Sequence, residues 1–397
     1  MELILSKFKN LVLILLFINL LFCCSQQSVQ EQQLIRIPEI YRDGVKSALK
    51  NAEGNHDEIL KSLSETPDSR IEGMAFLIEN MPVRDLTSLN SDFLLENVNL
   101  SYQVIDSVQW GKEIPDEIFF NYILPYVNLH ERRDNWRANF QTKFLPLVKN
   151  LKTPSEALLK LNSDIWDIVN VKYSTKRPKA DQSPYESMDA TLASCTGLSI
   201  LLIDACRAVG IPARFVGVPL WKDHSGNHSW VEIWDNGWHF IGAAEKSKLN
   251  KTWFGVRAAL ADDTNWKYSI YASSFKKTGI IFPPLFDSTA TYVYGDVVTD
   301  RYNKELAEDG MVSFAIRLFD HPNGLRVNGN IIVKQNDETI GEGETKDEKY
   351  DFNDFLIFKL KPSQTYNIIA ELNGNKNNKS ITTDSSKFQI IEMFLTD

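Results

Sequence analysis

The 397-residue sequence is poor in sulfur and histidine, with four cysteines and six histidines in the whole chain. That excludes a small disulfide-stapled scaffold, which is dense in cysteine. Long apolar runs are scarce as well. The run from Leu11 to Ile18 falls far short of the ~20 residues that a transmembrane helix needs. Positive charge is not in excess: the formal net charge is −9, which argues against nucleic acid as a partner. No internal repeat is visible, and no group of His, Cys and carboxylates stands at metal-ligand spacing, so neither a metal nor a cofactor is expected. What is present is ordinary for a globular protein, with 43% hydrophobic, 24% charged and 11% aromatic residues. The length leaves room for two or three domains.

Lys7 and Lys9 precede the apolar run, and after Asn19 comes Leu20-Leu21-Phe22-Cys23-Cys24-Ser25. This pattern reads as a signal peptide over residues 1–23. It resembles a bacterial lipobox, in which a small residue precedes the cysteine that is acylated. Cleavage before Cys24 leaves Cys23 at the small position, whereas cleavage before Cys23 would put Phe22 there. Cys24 is therefore the expected lipidation site, with residues 24–33 as a tether and the cell envelope as the location, on the periplasmic or outer-membrane surface. Loss of residues 1–23, which hold Glu2, Lys7 and Lys9, would take the charge from −9 to −10. The other two cysteines, Cys195 and Cys206, are eleven residues apart on one expected helix. At 1.5 Å per residue they stand ~16 Å apart, beyond disulfide reach, so both are expected as free thiols.

Residues 34–152 carry helical periodicity, as in Ile71, Met74, Ala75 and Ile78 before Pro82. Further helices are expected from Pro115 through Tyr122 and from Pro154 through Val169. Glu131, Arg132, Arg133 and Asp134 read as a solvated charged face beside an inward Trp136. A core domain is expected over residues 153–305. From about Gly310 the texture changes to short alternating strands with Asn-Gly turns, and residues 306–397 read as a β-sandwich of about seven strands. With no cysteine and only His321, that domain reads as a spacer or ligand-binding module without a catalytic role.

The informative stretch runs from Ala193 to Glu245. Ser194 is a good N-cap, and Leu198, Leu201, Leu202, Ala205 and Val209 form one apolar stripe before Gly210 and Pro212. Cys195 thus falls in the first helical turn, where unpaired N–H groups favour a thiolate, and its alkylation is expected well below a thiol pKa of ~8.5. After an apolar strand from Ala213, His228-Ser229-Trp230-Val231-Glu232-Ile233-Trp234 reads as a second strand. It turns at Asp235-Asn236-Gly237 and returns through Trp238-His239-Phe240-Ile241. A helix-start cysteine and a strand-start histidine supply what thiol–imidazole acyl transfer requires. His224 and His239 read as solvent-facing or packed.

Ser194-Cys195-Thr196-Gly197, then Cys206 to Arg214, then His228 to Glu232, then Gly237-Trp238 resemble the transglutaminase-like core, a papain-type superfamily that includes transglutaminases and bacterial peptidases. Leu124-Pro125-Tyr126, Glu131, Trp136-Arg137 and Val298 to Tyr302 look like the flanks of a bacterial lipoprotein subgroup. The resemblance implies an α+β protein: a papain-like transglutaminase core preceded by a helical domain and followed by the C-terminal β-sandwich. It implies Cys195 as nucleophile and His228 as proton shuttle, acting on amide or peptide bonds of a protein or peptide substrate, with hydrolysis the expected outcome.

The family's third triad member is an Asp four residues after the return-strand Trp, where this chain has Gly242. Glu245 is the nearest downstream carboxylate and is taken as the third catalytic residue. A two-residue turn would put Glu245 on the face of His228. A three-residue turn would pair His228 with Ala244 and is slightly preferred. Restoring Asp at position 242 is expected to raise activity if the backbone there accepts a side chain. The rival reading is a pseudoenzyme that binds peptide or glycan, motivated by Gly242.

Overall fold

The structure is a computed structural model that describes residues 30–284, 289–303 and 310–396. The expected signal peptide and the expected lipidation site, Cys24, lie outside the described residues. Two compact units divide at Tyr102/Gln103. In the first, helices Glu39–Asn51, His56–Glu65 and Ile71–Asn80 turn their apolar stripes on one another, burying Val45, Leu49, Ile59, Leu63, Met74 and Ile78. Among the described residues no helix is long and apolar enough to cross a membrane.

The second unit is built around the helix Cys195–Ala208. Its sequence is largely apolar, and 13 of its 14 residues are buried, so the helix is covered on every side, Asp204 and Arg207 included. Helices Arg137–Val148 and Pro154–Val169 pack on it, and a five-stranded sheet covers it from the other side. The sheet strands are β1 (Ala213–Val218), β2 (His228–Trp234), β3 (Trp238–Ile241), β4 (Tyr271–Ser274) and β5 (Tyr294–Val297). Their order is β3-β2-β1-β4-β5, antiparallel throughout. Pairing of Trp234 with Trp238 shows that the hairpin turn has three residues, the register slightly preferred from sequence.

The C-terminal sandwich has seven strands: β6 (Val312–Phe319), β7 (Asn330–Gln335), β8 (Glu338–Glu344), β9 (Leu356–Leu360), β10 (Thr365–Leu372), β11 (Asn375–Thr382) and β12 (Phe388–Phe394). One sheet has the order β8-β7-β10-β11 and the other β9-β6-β12. Phe314, Ile316, Leu318, Ile331, Val333, Ile368 and Met393 form the core between them. The sequence pattern missed β8 and β11 because Glu338–Glu344 and Asn375–Thr382 are almost wholly polar. Both are edge strands, where little apolar surface is needed and charge protects against stray pairing.

In the charged stretch before Trp136, Arg132 is exposed as expected, but the two carboxylates are not on a solvated face. Glu131 is 2% exposed and Asp134 is also buried. The Glu131 carboxylate accepts the backbone N–H groups of Asn128 and Leu129 at 2.6 and 2.8 Å, and Asp134 accepts Tyr185 N–H at 2.9 Å. Buried Arg137 and Arg207 donate to carbonyls of the same segment, from Tyr122 to Val127, and Arg207 also to Ala213 at the start of β1. A loop buried against the core cannot reach water, so these side chains satisfy its backbone.

Candidate active site

Ser194 caps the central helix, its hydroxyl accepting Gly197 N–H at 3.1 Å, and this puts Cys195 at the first turn. His228 opens β2, paired with Val218 of β1. One hydroxyl pair holds these two starts together, because Thr196 Oγ1 lies 3.0 Å from Ser229 Oγ. The residue after each catalytic candidate is thus the clamp that fixes their separation. Cys195 and Cys206 are both free, and Cys206 is wholly buried in the last turn of the helix.

The carboxylate that meets the pair comes from the sandwich. Asp351, in the segment between β8 and β9, has Oδ2 3.6 Å from His228 Nδ1. The Cys195 sulfur, a ring nitrogen of His228 and an Asp351 oxygen all lie within 4.8 Å of one another. They form a triangle and not a line: Asp351 flanks both thiol and ring. The C-terminal domain therefore contributes to the cleft, which its lack of Cys and His had argued against. No sequence signal marked Asp351, since Asp347-Glu348-Lys349-Tyr350-Asp351 reads as an ordinary polar loop. The structure also corrects the expectation that no ligand-type cluster exists, because residues 195, 228 and 351 converge only in the fold.

The loop that carries Asp351 is firmly held. Arg326, 3% exposed, donates to the carbonyls of Asp347, Tyr350 and Asp351 at 2.5, 2.5 and 2.7 Å. Phe352 N–H donates to Tyr173 OH at 2.9 Å, and Asn353 Nδ2 donates to Asn227 O at 3.0 Å, just before His228. Arg257 donates to Asn353 O at 3.1 Å. Asp351 Oδ1 accepts Asn353 N–H at 2.8 Å, which leaves Oδ2 facing the ring.

Glu245 reaches the same cleft by a different route from either expected register. Regular pairing with β2 stops at Ile241, and a turn follows in which Ala244 takes a left-handed φ of 63°. Asn162 pins the turn, donating to the carbonyls of Gly242 and Glu245, both at 3.0 Å, and accepting Ala244 N–H at 2.9 Å. Strand alternation no longer applies past Ile241, so the face argument for Glu245 fails. Its Oε1 accepts the indole N–H of Trp253 at 2.6 Å. The Trp253 ring lies 4.7 Å from the His228 ring. Among the described residues no ion pair joins Glu245 to His228. A Cβ added at Gly242 would stand 2.0 Å from Glu245 Cδ and Oε1. The Glu245 carboxyl thus fills the space that a side chain at 242 would claim, so the condition attached to Gly242→Asp, that the site accept a side chain, is met only if Glu245 moves aside.

Burial dominates the electrostatics. It pushes the Cys195 thiol up to about 12, with the Asp351 charge adding to the rise and the N–H groups of Ser229 and Thr196 opposing it. A rise from 9.0 to about 12 corresponds to roughly 4 kcal/mol. A helix N-terminus supplies only ~0.3–2 kcal/mol in the opposite direction, less than burial takes away. His228, packed among Trp221, Trp230, Trp253 and Phe254, is lowered to about 4 by burial, with Asp351 pulling upward and Arg257 downward. Burial raises Glu245 to about 8 despite the Trp253 bond. At neutral pH the resting cleft holds a thiol, a neutral imidazole and a largely protonated Glu245.

The other motif residues brace this arrangement. Glu232, fully buried, accepts Arg214 at 2.7 and 2.8 Å, Arg301 at 2.6 Å and Tyr302 OH at 2.7 Å. Trp230 Nε1 donates to Tyr302 OH at 2.7 Å, and Arg214 stacks 3.7 Å from the Trp238 ring centroid. His239 is packed against Asn250, and His224 is exposed beside Tyr268. The cleft itself has a volume of about 430 Å³ and is lined by Cys195, His228, Glu245 and Asp351, with Trp166, Tyr173, Trp253 and Tyr350 as aromatic walls.

Residues 145–243 match the family model of the transglutaminase-like superfamily. This segment is similar to the transglutaminase-like core. The match includes Cys195 and His228 and ends short of Glu245 and of the whole sandwich. Similar solved structures include a candidate cysteine protease from Cytophaga hutchinsonii, at 17% identity and a TM-score of 0.28, covering 48% of this chain and 66% of that one. Red sea bream transglutaminase is similar at 8% identity and a TM-score of 0.32, covering 70% of this chain and 65% of that one. The chain thus spans just under two thirds of the length of each. No curated protein matches the chain in sequence.

Proposed function

We propose that the cleft is a thiol acyl-transfer site acting on amide or peptide bonds. Cys195 Sγ attacks the carbonyl carbon while His228 takes the thiol proton, and the ring then returns that proton to the leaving amine. Water hydrolyses the thioester, releasing the acid and the free thiol. The N–H of Cys195 at the helix start is placed to donate to the oxyanion. Asp351 supplies the negative charge that stabilises the imidazolium formed during attack. Glu245 is a positioning residue that holds Trp253 against the ring. The observation that carries this reading is the convergence of the Cys195 thiol, the His228 ring and the Asp351 carboxylate within 4.8 Å at a cleft large enough for a peptide segment.

The same reading places the enzyme in the cell envelope, tethered by a lipid on Cys24, with a protein or peptide as substrate. A thiol-directed acylating probe applied to wild type, Cys195→Ala and Cys206→Ala tests the chemistry. Labelling lost only in Cys195→Ala supports it, and Asp351→Asn should slow labelling tenfold or more by loss of imidazolium support. Equal labelling of wild type and Cys195→Ala would refute it. A wild type that binds peptide without being labelled would favour the pseudoenzyme.

A further inference from the structure

We infer that Cys195, His228 and Asp351 together bind one zinc ion, which covers the nucleophile and clips the sandwich to the core. The three donors are a sulfur, an imidazole nitrogen and a carboxylate oxygen, the set that zinc accepts. Calcium and magnesium prefer all-oxygen sites. With Zn–N and Zn–O bonds of ~2.0–2.2 Å, a tetrahedral N–O edge is about 3.4 Å. The observed separation of His228 Nδ1 and Asp351 Oδ2 is 3.6 Å, close to that edge. The sulfur lies within 4.8 Å of an Asp351 oxygen and of a His228 ring nitrogen, and its tetrahedral edges to them would be about 3.6 Å, so the three side chains draw together around the ion.

A second observation points to a ligand at this place. His228 is 2% exposed, yet neither Nδ1 nor Nε2 has a hydrogen-bond partner. Buried ring nitrogens are ordinarily satisfied. A zinc on Nδ1 would meet one of these needs. Asp351 is in turn held by Arg326 and by Asn353 N–H, so it is presented rigidly, as a metal ligand's outer partners require. Binding exchanges the Cys195 proton for the metal, the proton leaving to solvent, and thiolate plus carboxylate neutralise the dication. The fourth position opens on the cleft, where water completes the tetrahedron.

The inference does not depend on turnover and is read by metal uptake. Purified full chain is dialysed against micromolar zinc and its bound metal counted, and a cobalt(II) derivative is scanned for a thiolate-to-metal charge-transfer band in the near ultraviolet. One tightly held ion per chain is expected, with the cobalt band present, and with iodoacetamide labelling of Cys195 suppressed by zinc and restored by a chelator. Cys195→Ser and Asp351→Asn should each weaken uptake by about tenfold or more, and Cys206→Ser should leave it unchanged. No stoichiometric uptake, or uptake unchanged in Cys195→Ser or in Asp351→Asn, would overturn the site. Uptake as expected in a protein that no acylating probe labels even after a chelator has stripped the metal would leave the zinc site standing and remove the acyl-transfer reading.

Discussion

Gly242→Ala tests how the cleft is packed where the family carboxylate is missing. The added methyl would stand 2.0 Å from the Glu245 carboxyl carbon, so the carboxyl must retreat by more than an ångström to reach van der Waals distance. Retreat stretches the 2.6 Å bond to the Trp253 indole. Overpacking a filled site costs about 1–3 kcal/mol, and a lost neutral hydrogen bond about 1 kcal/mol more. Gly242→Ala should therefore destabilise the wild type by roughly 2–4 kcal/mol. Glu245→Ala vacates the volume that the methyl needs, so in that background Gly242→Ala should cost less than ~1 kcal/mol or stabilise, filling part of the hole. Urea denaturation of the four proteins in the cycle measures the coupling, expected near 2 kcal/mol in favour of the double variant. Additivity within ~0.5 kcal/mol would show that the two sites do not compete for one volume and would refute the reasoning.

Glu245→Gln should change the pH dependence of stability. The buried carboxyl has its pKa raised from 4.5 to about 8, so between those values the folded protein binds more protons than the unfolded one. Wild-type stability should fall as pH rises through that window, by a few kcal/mol at most, and the variant should lack the decline. Parallel denaturation curves for the two proteins at pH 5, 7 and 9 would contradict this. Arg214→Met leaves the buried Glu232 charge with only Arg301 and Tyr302 and should cost about 3 kcal/mol, read as a lower denaturation midpoint at unchanged slope. Arg326→Met strips three loop carbonyls of their donor. Hydrogen exchange should then accelerate at residues 346–354 while β1 and β2 stay protected, and Asp351 should lose its effect on labelling of Cys195.

The parts of the site legible in the sequence are those written locally. Ser194 before an apolar stripe fixes the helix start, and alternation after His228 fixes the strand, because capping and periodicity act over a few residues. The hairpin register was legible to within one residue from Asp235-Asn236-Gly237. Position 351 was not, since it lies in a polar loop of the sandwich, 123 residues beyond His228. Nothing in Lys349-Tyr350-Asp351 distinguishes a carboxylate aimed at an imidazole from one aimed at water. The anchoring roles of Glu131 and Arg326 were hidden for a related reason. Charged residues usually face solvent, and only the fold shows which backbone groups are buried and need them.

Where the resemblance to the transglutaminase-like core implies an Asp, position 242 is Gly, and two needs are left: filling a space beside the imidazole and placing a negative charge facing it. In this cleft they are met by different residues. Glu245 fills the volume and supports Trp253, but burial raises it to about 8, so at neutral pH it is largely uncharged and cannot offset an imidazolium. Asp351 provides the charge, because its loop is fixed by Arg326 and its Oδ2 faces the ring at 3.6 Å. A side chain at 242 would therefore displace the Glu245 carboxyl, and an Asp there would add a second charge to a cleft that already holds Asp351. The two carboxyls should also separate experimentally. Loss of Glu245's carboxyl acts on packing and on the pH dependence of stability, whereas loss of the Asp351 charge acts on the rate at which Cys195 is acylated and on metal uptake.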